Sequence, residues 1–157
     1  MKKPLVSSIV AAISGSNASI LAAKYAIVMA KQYKCRLCAV NVIDTNLVNE
    51  LFLEKILVES EASEYESFME SNGRRFLDFV VELAAAKGVK ITTDLRRGAV
   101  FAEIICAANE HNSDLIILGG SKKERISSGI HCEILLRSDC SILVSKDPNV
   151  DLKYRQL

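Results

Sequence analysis

The sequence of 157 residues contains no tryptophan, only two prolines and seven glycines, and aromatic residues make up 6% of it. Disordered and low-complexity chains are rich in proline and glycine, so this composition excludes them. An excess of one charge is also absent, because 20 Lys and Arg against 19 Asp and Glu leave a formal charge of +1. This balance removes the usual electrostatic basis for binding nucleic acid or an anionic membrane. No apolar run approaches the roughly eighteen residues of a membrane span.

Apolar sequence is abundant, since hydrophobic residues make up 50% of the chain. That fraction is enough to bury a core, and the length suits one domain over residues 1–157. Residues 147–157 show no core pattern and are expected to form a tail. The first fourteen residues imitate a secretory signal, but Ser7 and Ser8 interrupt the apolar stretch. A buried strand is the better interpretation, and we expect a cytoplasmic protein.

Cysteines are present in an odd number, and each lies inside or beside an apolar run: Cys35, Cys38, Cys106, Cys132 and Cys140. Reduced, buried thiols are the simplest interpretation. Cys35 and Cys38 have the spacing of a redox or zinc pair, but on a strand an odd separation places two side chains on opposite faces. No metal site is predicted.

Histidines are few, and neither one predicts catalysis. His131 and Cys132 are adjacent, and neighbours on a helix rarely face each other, as a catalytic pair must. His111 fits the polar end of a helix. The sequence therefore predicts no catalytic residue and no enzymatic activity.

The spacing of apolar residues alternates between strand and helix. It predicts helices at 19–33, 71–87, 100–111 and 130–137, with Asn17 or Ser19 capping the first and a loop or short helix over 46–70. It predicts strands at 8–13, 36–43, 89–95, 114–118 and 141–145, the third nearer the sheet edge and closed by residues 96–98. This order indicates an α/β fold with a doubly wound, five-stranded parallel sheet and helices on both faces.

Ligands of such sheets bind outside the carboxyl ends of the strands, where the strand order reverses. The candidate site is therefore built from residues 14–17, residues 41–45 and the chain from Gly119 onward.

From about Ser8 to Lys146 the chain resembles a universal stress protein. The stretches IVAAISGSNASILAAKYAIVMA, LCAVNVID and DLIILGGS are similar to that family's first strand, turn and helix, its second strand, and the strand before its nucleotide loop. Gly98 stands where the family has a Gly before its third helix, and CSILVSK resembles its closing strand, with Ser141 in place of Pro. The resemblance implies the same fold.

Members of that family that bind ATP carry Gly, two residues, Gly, nine residues, Gly and then Ser or Thr. Gly119 fits the first Gly, but Lys122 replaces the second, and the closing pair falls near Gly129 after a shortened loop. A long side chain at Lys122 would obstruct the approach of backbone N–H groups to phosphates. Ser14 stands where ATP-binding relatives usually have an Asp. The resemblance implies a cleft lined by Ser14, Gly15, Ser16, Val42, Ile43, Gly119, Gly120, Ser121, Lys122, Gly129 and Ile130.

Charged residues beside this cleft allow two interpretations. Lys122, Lys123 and Arg125 could bind phosphate as point charges, but with Glu124 among them a solvated loop is favoured.

Two other families with related folds are alternatives to the universal stress proteins. A phosphoacceptor receiver domain needs clustered carboxylates after the first strand and one after the third, where this chain has Ser14 and Gly15, then Arg96 and Arg97. Without these carboxylates, which would hold Mg²⁺, the chain is not a receiver domain. Half of an electron-transfer flavoprotein has a related fold, but the chain is short for one.

The resemblance implies a non-catalytic regulatory or interaction module of the stress response, with no cofactor or only weakly bound ATP or AMP. We expect a homodimer through strand 141–145, whose apolar residues would otherwise lie on an exposed edge. Val150, Leu152 and Tyr154 of the tail could cover the same seam. An unidentified protein partner is a further expectation. The alternative is a nucleotide-dependent switch that binds ATP or AMP through a variant loop.

Overall fold

A computed structural model describes residues 2–120 and 129–157 and contains one sheet of five parallel strands. The strand order is β3-β2-β1-β4-β5, which confirms the predicted doubly wound fold and the edge position of β3. The elements along the chain are β1 (Ser8–Ala12), α1 (Asn17–Tyr33), β2 (Arg36–Asp44), α2 (Thr45–Leu53), α3 (Glu59–Ala85), β3 (Thr92–Gly98), α4 (Val100–Glu110), β4 (Leu115–Gly119), α5 (Ile130–Arg137), β5 (Ser141–Ser145) and α6 (Val150–Arg155).

Two hydrophobic cores lie on the two faces of the sheet. Successive strand residues point to opposite faces, so Ile9 and Ala11 of β1 pack with α1, while Val10 between them packs against Ile104 of α4. All three β1 side chains are fully buried. A central parallel strand covered by helices on both sides explains why β1 is apolar without alternation.

Cysteine placement follows the same alternation. Cys35 belongs to the core under α1 and Cys38 to the core under α4, which confirms that the two thiols lie on opposite faces. The prediction that all five thiols are buried is wrong for Cys106, which is exposed on α4. An apolar run in sequence does not bury every residue of an amphipathic helix.

The cap of α1 differs from the prediction. Neither Asn17 nor Ser19 is the N-cap; the Ser16 hydroxyl accepts a hydrogen bond from the backbone N–H of Ser19 at 3.2 Å. Ser16 has the extended backbone that a capping residue adopts.

The acidic segment before residue 71 is more helical than predicted. It contains α2 and the first part of α3, which begins at Glu59 and not at Ser71. The carboxylate of Glu61 accepts a hydrogen bond from the backbone N–H of Val58 at 3.2 Å, and two acidic residues in the first turn complement the helix dipole.

Strand β3 lies further along the chain than predicted and includes Arg96 and Arg97, which were expected to close it. Arg96 is accommodated because its guanidinium lies 3.0 Å from Asp94, 2.8 Å from Glu103 and 2.7 Å from Glu110. These carboxylates raise the pKa of Arg96 further above its ordinary range.

The expected tail without core contacts is instead the helix α6. Val150 and Tyr154 are buried, and the Tyr154 hydroxyl donates a 2.6 Å hydrogen bond to the Leu83 carbonyl. A separation of four residues puts both side chains on one helix face. They therefore pack against their own chain and are not free to cover a dimer seam, whereas Leu152 is 55% exposed. None of the described helices is long and apolar enough to cross a membrane.

Candidate functional site

A cavity of about 480 Å³ opens at the carboxyl ends of β1, β2 and β4, where the strand order reverses between β1 and β4. Helices α4 and α5 close its other side. The described residues that line it are Ala12, Ile13, Ser14, Val40, Asn41, Val42, Val100, Ile104, Leu118, Gly119, Gly129, Ile130 and His131.

The structure brings together part of the predicted site. Five of the predicted residues line this cavity: Ser14, Val42, Gly119, Gly129 and Ile130.

The remaining predicted residues lie elsewhere. Gly15, Ser16 and Gly120 do not line the cavity, while Ile43 is 1% exposed and borders a neighbouring cavity of about 190 Å³. The predictions for Ser121, Lys122, Lys123 and Arg125 fall outside the described residues.

Serine hydroxyls organise the loop after β1. The Ser14 and Ser16 hydroxyl oxygens are 3.0 Å apart, and the Gly15 N–H donates to the Ser19 hydroxyl at 3.1 Å. Gly15 has a φ of +88°, and a Cβ there would lie 2.2 Å from the ring of Phe76. This loop is therefore held by hydrogen bonds among its own residues and the start of α1, and residues 14–16 carry no formal charge.

Gly119 ends β4 where the strand passes the first turn of α1. A Cβ on Gly119 would lie 2.5 Å from the backbone carbonyl of Ala18 and 2.8 Å from the backbone nitrogen of Ser19. Only glycine allows this approach of two backbones, which holds the end of β4 against the start of α1 beside the cavity.

Two polar lining residues were not among the predicted site residues. Asn41 is 6% exposed, and its side-chain amide donates a 2.7 Å hydrogen bond to the Ile13 carbonyl. His131 places Nε2 2.7 Å from the Gly119 carbonyl oxygen and donates to it. A lone amide within the apolar run LCAVNVI was a signal for Asn41, and it lay inside the candidate segment 41–45. For His131 the sequence held no comparable signal, because its partner is a backbone oxygen from another element.

Aliphatic and small polar side chains dominate the described lining of this cavity. Its described lining contains no carboxylate, lysine or arginine, and most of its wall is aliphatic. Within residues 2–120 and 129–157, no group of three His, Cys, Asp or Glu side chains could hold a metal ion. Such a wall suits a flat apolar ligand body, with polar groups directed toward Ser14, Asn41 and the end of β4.

Comparison with known proteins identifies the family. The family model for the universal stress proteins matches residues 6–146. The chain belongs to the universal stress protein family. A universal stress protein of Methanocaldococcus jannaschii is 31% identical over 148 residues, which cover 92% of this chain and 84% of that protein.

Solved structures of the family share the fold. A universal stress protein from Burkholderia pseudomallei has a TM-score of 0.74 at 22% identity, covering 93% of this chain and 100% of that one. A universal stress protein from Archaeoglobus fulgidus, solved in complex with dAMP, has a TM-score of 0.64 at 12% identity, covering 90% of this chain and 98% of that one. At these identities the likeness establishes the architecture alone.

Proposed function

We propose that this chain is a non-catalytic regulatory module of the cytoplasm whose cavity at the carboxyl ends of the strands accepts an adenosine monophosphate and holds ATP only weakly. The observation that carries the proposal is the cavity of about 480 Å³ with aliphatic walls and no described charged side chain in its lining apart from the ionisable His131. The dAMP complex of the Archaeoglobus relative supports the ligand class. Five free thiols agree with a reducing compartment.

The size and wall of the cavity support a nucleoside. Its volume lies within the range of about 300–1,000 Å³ that small-molecule sites occupy. Val40, Val42 and Leu118 offer aliphatic surface to a base, and Asn41 lies within the same wall. A base buried between aliphatic side chains gains from the apolar area removed from water.

Weak ATP binding follows from two substitutions in the family's motif. Lys122 stands in place of the second glycine, so fewer backbone N–H groups can converge on a phosphate chain, and each missing charge-assisted hydrogen bond removes about 1.5–3 kcal/mol. Ser14 replaces the Asp that anchors the nucleoside in ATP-binding relatives. Lys122, Lys123 and Arg125 could recover part of the phosphate energy, but long flexible side chains lose rotamer freedom and make salt-sensitive contacts.

Calorimetry with AMP and with ATP and Mg²⁺ tests this proposal. We expect ATP binding in the high micromolar range or weaker, equivalent to about 4–6 kcal/mol. Val42→Trp should abolish AMP binding by filling the cavity, whereas Val81→Trp, on the exposed face of α3, should not. Equal AMP binding by both variants, or no binding by the unmodified protein, would contradict the proposal.

The alternative function is a switch driven by ATP or AMP through the variant loop. Low-micromolar ATP affinity, or nucleotide retained through purification, would favour it. The double variant Ser14→Asp, Lys122→Gly separates the causes of weak binding. If this variant does not bind ATP more tightly, the shortened loop before Gly129 is the dominant defect.

Assembly into a homodimer through β5 is part of the proposal. In the described part of the chain β5 pairs only with β4 and forms one edge of the sheet. Leu135 and Leu136, just before it on α5, are 56% and 75% exposed. Pairing of two β5 edges would satisfy the backbone groups of this edge and cover apolar surface beside it. A protein partner could bind the same dimer.

A further inference from the structure

We propose a second binding site, for a small organic anion with an apolar body. It lies at the opposite end of the sheet from the cavity of about 480 Å³ proposed to bind AMP, which we call the nucleoside cavity. The second site is a cavity of about 540 Å³ at the amino-terminal ends of β1, β2 and β3. Four cationic side chains line it: Lys31, Lys34, Arg36 and Lys90. Among its described lining residues there is no Asp or Glu. The site is independent of the proposed function, because none of its lining residues borders the first cavity.

The cations come from separate segments that only the fold brings together. Lys31 lies in the last turn of α1 and Lys34 caps that helix, while Arg36 begins β2 and Lys90 precedes β3. Lys31 is held in place because its ammonium donates a 2.8 Å hydrogen bond to the Lys87 carbonyl. The arrangement thus concentrates positive charge at the mouth of this cavity, although the formal charge of the whole chain is only +1.

These cations are not neutralised by the protein. Elsewhere in the described chain seven Lys and Arg form ion pairs with carboxylates: Lys24, Arg74, Arg96, Arg97, Arg137, Lys153 and Arg155. None of the four lining cations is in such a pair within the part of the chain that the structure describes.

Nearby acidic groups are already engaged. Asp94 reaches His111 Nε2 at 3.2 Å, but its charge is balanced by Arg96 at 3.0 Å. Asp114 accepts hydrogen bonds from the backbone N–H groups of Ser7 and Ser8.

Helix polarity offsets only part of this positive charge. Helix α1 ends at Tyr33 and α3 ends at Ala85, so the partial negative charges of two helix ends, each about half an elementary charge, face this region. Four full positive charges exceed them. Burial raises the pKa of the thiols of Cys35 and Cys38, both of which line the cavity, so neither thiol contributes negative charge near neutral pH.

The wall beneath the charged mouth is apolar. Ala30 and Leu37 are buried in the core under α1, and Val89 and Ile91 pack against that core from the segment before β3. The cavity therefore offers contact area to an apolar body and cations to its head group. A carboxylate, phosphate or sulfonate head satisfies the same chemistry.

Anilinonaphthalene sulfonate is a suitable probe, because it joins one anionic head to an aromatic body. Its uncharged analogue, phenylnaphthylamine, is the matched probe. Binding is followed by fluorescence and located by backbone amide shifts in two-dimensional NMR of the full chain. We expect the sulfonate probe to shift amides of residues 35–38 and 88–92.

The charge requirement is tested with paired variants. Arg36→Gln with Lys90→Gln should weaken binding of the sulfonate probe about tenfold, as expected for two partly exposed ion pairs, and should leave phenylnaphthylamine unaffected. Lys2→Gln with Arg75→Gln changes the net charge equally at exposed positions outside the cavity and should alter binding less than twofold. Thermal unfolding establishes that both variants are folded.

Three results would overturn the proposal. Amide shifts confined to Gly119, Gly129 and their neighbours would assign the probe to the nucleoside cavity. Equal losses in the two double variants would show a general charge effect. Equal binding of the charged and uncharged probes would show that the cations do not recognise the head group.

Discussion

The side-chain amide of Asn41 donates a 2.7 Å hydrogen bond to the backbone carbonyl of Ile13. This bond joins β2 to the residue that follows β1, directly before the serine-rich loop at the cavity of about 480 Å³. Asn41 is buried, so no solvent competes for the bond. The contact therefore holds two walls of the cavity in register.

Replacing Asn41 with Ala should destabilise the protein by about 1–3 kcal/mol, because a buried carbonyl would lose its donor. The free energy of unfolding in urea measures this effect. Asn49→Ala, at an exposed position on α2, should change it by less than about 0.5 kcal/mol. Equal effects of the two substitutions would show that the Asn41 bond contributes nothing.

Gly119→Ala should destabilise the protein by about 3 kcal/mol, since the new Cβ would lie 2.5 Å from the backbone of Ala18, which cannot rotate away. Gly88→Ala is the matched control. Gly88 has a φ of +70° but open space around it, so only backbone strain of about 1 kcal/mol is expected. Chemical denaturation distinguishes the two, and a smaller loss at Gly119 than at Gly88 would contradict the steric argument.

Asp114 should contribute to the loss of stability in acid. Its carboxylate accepts hydrogen bonds from the Ser7 backbone N–H and hydroxyl, both at 2.8 Å, and from the Ser8 N–H at 3.1 Å. These bonds lower its pKa below the ordinary value. An acid whose pKa is lowered by folding stabilises the native state above its unfolded pKa of about 3.9 and loses that contribution as the pH falls through the folded pKa.

Unfolding measured at neutral pH and near pH 3 tests this linkage. Asp114→Asn should be less stable than the unmodified protein at neutral pH and should lose less stability on acidification. Asp139→Asn, which changes an exposed carboxylate, should behave like the unmodified protein. An unchanged acid slope in Asp114→Asn would contradict the prediction.

The proposed dimer can be tested beside β5. Leu136→Lys should lower the dimer fraction, because it places a charge next to the paired edges, whereas Leu53→Lys, 77% exposed on α2, should not. Light scattering at high micromolar concentration measures both. Leu143→Lys should also lower the free energy of unfolding, since Leu143 packs against the core of its own chain. A monomer mass for the unmodified protein would contradict the dimer.

Local signals predicted the bounds of several elements closely. The bounds of α5 and β5 agree with the prediction, and β1 ends within one residue of it. The helices after residue 45 were harder to predict from the sequence. Acidic residues stabilise α3 in two ways: Glu61 caps its start at Val58, and Glu66 contacts Arg97 at 2.7 Å. A helix residue whose partner lies on a distant strand produces no periodic pattern in the sequence.

The candidate site likewise contains residues that the sequence predicted and residues whose roles only the fold shows. Ser14, Val42 and Gly119 were predictable because they follow buried strands whose carboxyl ends must meet at one edge. The roles of Asn41 and His131 depend on the carbonyls of Ile13 and Gly119, which belong to different elements.

The sequence by itself determined the fold class, the order of the strands along the chain and the family, because periodicity and turn residues act over a few neighbouring positions. Tertiary structure decided which distant residues meet. It turned the tail into a helix held by the bond from Tyr154 to the Leu83 carbonyl, paired Arg97 of β3 with Glu66 of α3 and gathered Lys31 and Lys90 around one cavity. These contacts join residues far apart in sequence, so their energies exist only once the chain has folded and brought them together.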